Sequence, residues 1–211
     1  MNKPITKTQA AIISSRSVYW MNVKSVSDGM AKTERAIKAS TNAKLGKVVK
    51  VGRLQGARIF TLTLEERATC DNSCAHWKTC FGNNMPFATR YKMDDALLIQ
   101  IESDLEFYNA KGKSFLVRLH ILGDFTSVEY VAFWARMLGR FENLNVYGYT
   151  ARLAGTPIGD AILSLRSRRF MVRQSGQFNG DDMSALSFDD ARALPMVTAK
   201  KAIVCPTQIA K

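Results

Sequence analysis

The sequence predicts an α/β fold, a partial or distorted (βα) barrel with mainly parallel strands and a basic N-terminal segment. Three observations predict it. From Arg58 onward, short apolar or alternating runs recur between amphipathic stretches, and a β-α-β-α-β-α-β series implies right-handed crossovers and a parallel sheet. Thiols and polar residues that would be out of place in a core fall at the ends of those runs, where such folds gather reactive groups. The charge is also uneven. Of a net +12, residues 1–57 carry eleven Lys and Arg against only Asp28 and Glu34.

That asymmetry divides the chain into a basic segment, residues 1–57, and an α/β domain, residues 58–211. In the first, the pattern predicts a helix over 29–44 that puts Lys32, Arg35 and Lys38 on one side, with Gly46 as a stop. Residues Lys47–Arg53 read as a short basic strand or hairpin arm. In the second, Arg58–Leu64 alternates as a strand and Asp94–Asn109 places Leu97, Leu98, Ile101 and Leu105 on one helical face. Phe115–Leu122 is a buried strand. Thr126 and Glu129 form a capping box for a helix to Phe141. Asn145–Thr150, Phe170–Gln174 and Lys201–Val204 complete the strands, and Gly159–Arg166 is a further helix.

At 211 residues, 46% hydrophobic and 23% charged, the composition is that of an ordinary globular chain. No apolar run reaches the ~18 residues that would span a bilayer, and the start lacks a signal-peptide core, so the expected location is the cytoplasm. There thiols stay reduced, and four cysteines read better as metal ligands than as disulfides. No P-loop, dinucleotide fingerprint, HExxH or nucleophile elbow is present, and two histidines make a catalytic triad a poor fit. A basic segment beside a nearly neutral domain points to a polyanion, nucleic acid and DNA first, with Lys32, Arg35, Lys38, Lys47, Lys50 and Arg53 as the contacts.

Cys70-x3-Cys74-x5-Cys80 lies in the loop after the first strand, and Cys205 follows the last strand and precedes proline. Three close thiolates and one distant one suit a [4Fe–4S] cluster. Zinc is the main competitor, although a second cysteine pair is lacking. His76 could replace one thiol, and four reduced packing thiols are the plain alternative.

The elements Thr69-Cys70, Cys74, Cys80-Phe81, Arg118-Leu-His120-Ile-Leu-Gly123-Asp124-Phe125, Tyr130, Trp134, Tyr149-Thr150 and Cys205-Pro206 resemble the gene product 88 family of phages and plasmids. The resemblance runs over about residues 58–206 and implies a mobile-element protein with a cysteine-bound metal centre. The cysteine-rich tail of longer members is lacking here. The layout is also similar to radical S-adenosylmethionine enzymes, which have a partial barrel and three cysteines after the first strand. This chain departs from them in its x5 spacing and in offering Cys205 as a fourth ligand.

Among the remaining residues, Arg118 and His120 alternate with Val117, Leu119 and Ile121, which sets both on one strand face as candidates for an anion or cluster contact. Asp124 is a candidate general base or metal-ion ligand, or a helix cap. Thr150, Arg152, Arg173 and Ser175 occupy later strand ends, and Tyr19-Trp20 could stack on a base. The function expected is an iron–sulfur protein that binds nucleic acid. The alternatives are a metal-dependent nuclease or radical-type enzyme, and a zinc-stabilised protein-interaction module.

Overall fold

The computed structural model describes residues 16–29, 34–42, 45–72, 74, 76–176, 183–186 and 194–204. Nine strands are present among them: β1 (Val23–Lys24), β2 (Lys38–Ala39), β3 (Arg58–Thr61), β4 (Arg90–Tyr91), β5 (Phe115–Leu119), β6 (Leu144–Thr150), β7 (Phe170–Gly176), β8 (Ala185–Leu186) and β9 (Ile203–Val204). The helices are α1 (Glu66–Thr69), α2 (Asp95–Asn109), α3 (Val128–Arg140), α4 (Pro157–Leu165) and α5 (Pro195–Thr198).

Seven strands form one sheet in the order β2-β3-β5-β6-β7-β8-β9, antiparallel only at β2-β3; β1 and β4 make a parallel pair beside it. From β3 on, the order follows the chain without reversal. Right-handed crossovers that never reverse put their helices on one face. That face is the core: Val117 and Leu119, Leu144 and Val146, and Phe170 and Val172 pack on Leu97, Ile101 and Leu105 of α2 and on Val131, Trp134 and Leu138 of α3. Each such side chain contributes roughly 1.5–3 kcal/mol through burial. The other face carries Leu116, Arg118, Tyr147, Tyr149, Met171 and Arg173, all half-buried. The sheet is thus a singly wound, unclosed barrel among the described residues. Among the described residues, no helix is long and apolar enough to cross a membrane.

The helix starts follow local chemistry. Asp94 accepts from the Leu97 N–H (2.8 Å), and Thr156 accepts from the Gly159 N–H ahead of which Pro157 supplies a preset φ. At α3 the cap is Ser127, whose hydroxyl accepts from the Tyr130 N–H, so the expected Thr126–Glu129 box is displaced by one residue.

Two larger corrections have tertiary causes. The helix expected over 29–44 does not form in its described part, which is extended and includes β2. The Asp104 carboxylate on α2 accepts from the Ile37 N–H (2.9 Å) and from Arg35 (3.1 Å), and Tyr108 donates to the Ile37 carbonyl (2.8 Å). Lys38 and Ala39 then pair with Thr61 and Phe60. Partners fixed elsewhere in the fold override a helical propensity of a few tenths of a kcal/mol per residue. Arg118 and His120 also part company. The Arg118 guanidinium lies over the Tyr149 ring (4.7 Å) on the open face. β5 ends at Leu119, and His120 turns into the helix layer, its Nε2 3.0 Å from the Tyr130 hydroxyl and its ring edge-on to Phe125.

Burial, with the Arg118 charge adding, pulls His120 down to about 3. The unfolded chain titrates near 6.5, so below that pH it binds a proton the folded protein refuses. Stability should therefore be flat above about pH 6.5 and fall toward pH 3, by up to about 1.4 kcal/mol per pH unit from this group. Urea unfolding across this range should show that slope diminished in His120→Gln; an undiminished slope would assign the acid sensitivity to other groups.

Candidate metal centre

The first cysteine is placed by α1. Thr69 ends that single turn by donating its hydroxyl to the Glu65 carbonyl (2.8 Å), and Cys70 follows with extended backbone, its N–H bonded to the Glu66 carbonyl. The next two cysteines sit in consecutive tight turns. Cys74 N–H bonds to the Asp71 carbonyl, Trp77 N–H to the Cys74 carbonyl and Asn83 N–H to the Cys80 carbonyl. The chain thus folds back over itself, and Cys70, Cys74 and Cys80 line one cavity of about 390 Å³ at the carboxyl end of the parallel strands. All three are half-buried free thiols. Arg67, His76, Trp77 and Ile121 line the same cavity.

Burial and neighbouring charges set the state of these thiols. Burial pushes the Cys70 thiol well up, and the Asp124 carboxylate and the other two thiols push it further. Burial also raises Cys80, opposed by a hydrogen bond from Gly82 and by the Arg67 charge. Among the described residues, no three His, Cys, Asp or Glu side chains converge closely enough to hold a metal ion. A single zinc would draw its sulfurs to about 3.8 Å apart.

The loop's far half is held by one buried side chain. Arg90 of β4 is 0% exposed, and its Nε donates to the Glu66 carboxylate at 2.9 Å. Its other nitrogens donate to the carbonyls of Gly82, Met85 and Ala88. Ser17 donates to the second Glu66 oxygen (2.8 Å), and Tyr19 donates to the Asn83 carbonyl while its ring faces Arg90. A stretch of the basic segment therefore serves as packing for the cysteine loop. The side chain of Trp20, by contrast, is exposed.

The near half is held from β5 and β6. Gly123 has φ +87°, and a Cβ there would stand 2.6 Å from Leu64 Cβ and Thr69 Oγ1, so only glycine fits. Its neighbour Asp124 accepts from Thr150 Oγ1 (2.7 Å) and from the N–H groups of Ala151 and Phe125 (both 2.8 Å). Arg152 pairs with Asp71 (3.1 Å) and donates to the carbonyls of Thr69 and Phe125. Asp124 is thus a junction between strand ends rather than the cap of α3. Arg173 donates to the carbonyls of Met183 and Lys201, and Ser175 to that of Thr150.

Of the residues expected at a site, three cysteines and His76 are brought together, whereas Arg118 and His120 are elsewhere. Cys205 and Lys32 lie outside the described residues. Arg35 and Lys38 face the carboxylates of Asp104 and Glu34, while Lys47 and Lys50 are exposed. Arg53 donates to Asn145 and to the Arg168 carbonyl. Sequence reasoning passed over Glu66, Arg67, Trp77 and Arg90. The one available signal was the run of three charged residues, Glu65, Glu66 and Arg67, just before the first thiol.

This geometry defines a class: an open, singly wound α/β half-barrel with a thiol-lined cavity at the carboxyl ends of its strands. The chain belongs to the Gene product 88 family, whose model matches residues 31–157, more than half of it. The match starts earlier than the expected 58, inside the basic segment, and ends before Cys205. No curated protein and no solved structure matches the chain.

Removing Arg90 would strand the buried Glu66 carboxylate and three carbonyls. Arg90→Met should lower the unfolding free energy by about 3–5 kcal/mol, and Arg90→Lys should recover less than half, because an ammonium cannot reach four acceptors. Urea titration decides; a loss under about 1 kcal/mol in both variants would deny the arginine this role.

Proposed function

We propose that Cys70, Cys74 and Cys80 bind an iron–sulfur cluster, with Cys205 as the fourth ligand, in a cytoplasmic protein of phage or plasmid context. The observation that carries this is the convergence of the three thiols on one cavity at the carboxyl end of the sheet. Val204 ends β9 at that same end, and Cys205 follows it in sequence, five strands across from β3. When bound, the cluster supplies a one-electron couple and a covalent tie between α1 and its following loop. Arg90, Glu66 and Arg152 hold the loop in place before any metal arrives, which lowers the ordering cost of binding. Each cysteine replaced by Ala should lower iron per chain in anaerobically purified protein. Full iron in Cys205→Ala with loss in His76→Ala would assign the fourth place to the histidine, which lines the cavity. One zinc per chain would instead favour the zinc-stabilised interaction module.

We further infer that nucleic acid, DNA first, docks at the opposite end. The loops before the parallel strands gather the exposed side chains of Lys47, Lys50, Arg53 and Arg58, then Lys111 and Lys113, then Arg168; Glu142 is the exposed acid among them. Adjacent strands are about 4.8 Å apart, so these cations span roughly 15 Å from β3 to β7, a width that fits a phosphate backbone. Each phosphate contact contributes a slope of about −0.9 in log K against log salt for duplex DNA. Lys47→Gln with Lys50→Gln should therefore weaken DNA binding and flatten that slope by about two. Cys70→Ala should leave it unchanged, since the thiols are at the other end. No binding by the intact chain at low salt, or an unaltered slope in the double variant, would remove the DNA reading.

A further inference from the structure

Among the described residues, Arg67 is a buried cation in the cysteine cavity with no hydrogen-bond acceptor. The residue is 4% exposed and lines the cavity, and its Nε, Nη1 and Nη2 all lack a hydrogen-bond partner. Its guanidinium is stacked on Trp77, with Cζ 4.3 Å from the ring centroid. The adjacent carboxylate is committed elsewhere, since Glu66 accepts from Arg90 and Ser17. Contrast Arg90 on β4, also fully buried, which has an acceptor for every nitrogen. Buried polar groups without partners are rare in folded proteins, and a guanidinium with none on three nitrogens calls for an explanation.

We propose that Arg67 is the anchor of a ligand site in this cavity, taking a small organic oxyanion, a carboxylate or a phosphate. The chemistry selects that class. A guanidinium offers paired parallel N–H groups that match two oxygens of a planar carboxylate or a phosphate, and stacking on an aromatic ring fixes its plane. Trp77, Phe81 and Ile121 give the same cavity apolar walls for the body of the ligand, and Thr79 and Asn84 give it further polar groups. A second cavity of about 470 Å³ shares Asn84 and Ile121 with the first, so the ligand has room to extend beyond the thiols, toward Thr61 and Thr63. The inference comes from Arg67 and does not require a metal; with a cluster in place, the ligand would lie beside it.

The test is calorimetric titration of the full-length protein with inorganic phosphate and, separately, with benzoate, with metal content measured on the same samples. Saturable binding of either probe is expected, phosphate alone marking a phosphate ligand and benzoate alone a carboxylate. Arg67→Met should weaken that binding by about 30-fold or more, and Arg67→Lys, which keeps the charge but not the fork, by about tenfold. Because the side chain makes no hydrogen bond, Arg67→Met should melt no lower than the parent, a result a structural arginine would not give. Failure of both probes to saturate by roughly 50 mM with folded protein, or unchanged binding in Arg67→Met, would overturn the proposal. So would a fall in melting temperature with binding unaltered. Loss of metal without loss of anion binding would count against the cluster alone.

Discussion

The cysteine loop depends on the pair formed by Arg90 and Glu66. Between α1 and β4 the chain makes several tight turns with little regular structure, and turns leave carbonyls without partners. A fully buried guanidinium answers four acceptors at once, three of them carbonyls of the loop, and its charge is balanced by a carboxylate one residue before Arg67. Burying such a pair is expensive, and a well-packed apolar substitute would often serve stability as well. What an apolar pair could not do is hold Cys80 and the turn after it in one geometry relative to Cys70. The ion pair is therefore read best as a device for position, with stability as the lesser effect.

The singly wound sheet explains why the chain has two chemically different ends. Strands that follow one another in order turn all their carboxyl ends the same way, so the thiols, Asp124, Thr150 and Arg152 are brought together without being near in sequence. The same arrangement sends the loops before the strands to the opposite end, where exposed cations accumulate. Asp124 belongs to the first end as a junction. With three donors on its carboxylate, it couples β5 to β6, and Arg152 extends the coupling to Asp71 in the cysteine loop. These hydrogen bonds fix the orientation of the carboxylate at the strand ends.

Much of this was legible in the sequence, for identifiable reasons. The strands from Arg58 to Thr150 and the helices between them carry strong periodicity, and Asp94 announced the start of α2. The parallel order and the collection of Cys70–Cys80 with Gly123 at one end followed from that alternation. What could not be read depended on partners far away in the chain. Residues 34–42 have helical spacing, but Asp104 and Tyr108 bind their backbone and draw them out as an edge strand. His120 follows Arg118 at strand spacing, yet the strand ends between them. The basic end is scattered over three loops, so counting charges along the first 57 residues located only part of it. Arg67 is distinguished by what does not touch it, a property no one-dimensional pattern records.

Metal content of the intact chain tests the central claim most directly. The protein should be purified without oxygen and analysed for iron, acid-labile sulfide and zinc, with an absorption spectrum taken on the same sample. A brown protein absorbing near ~400 nm, with about four irons and four sulfides per chain, is the expected result for thiols arranged around a cavity. A colourless protein with a single zinc, or with no metal after reconstitution with iron and sulfide, would contradict it.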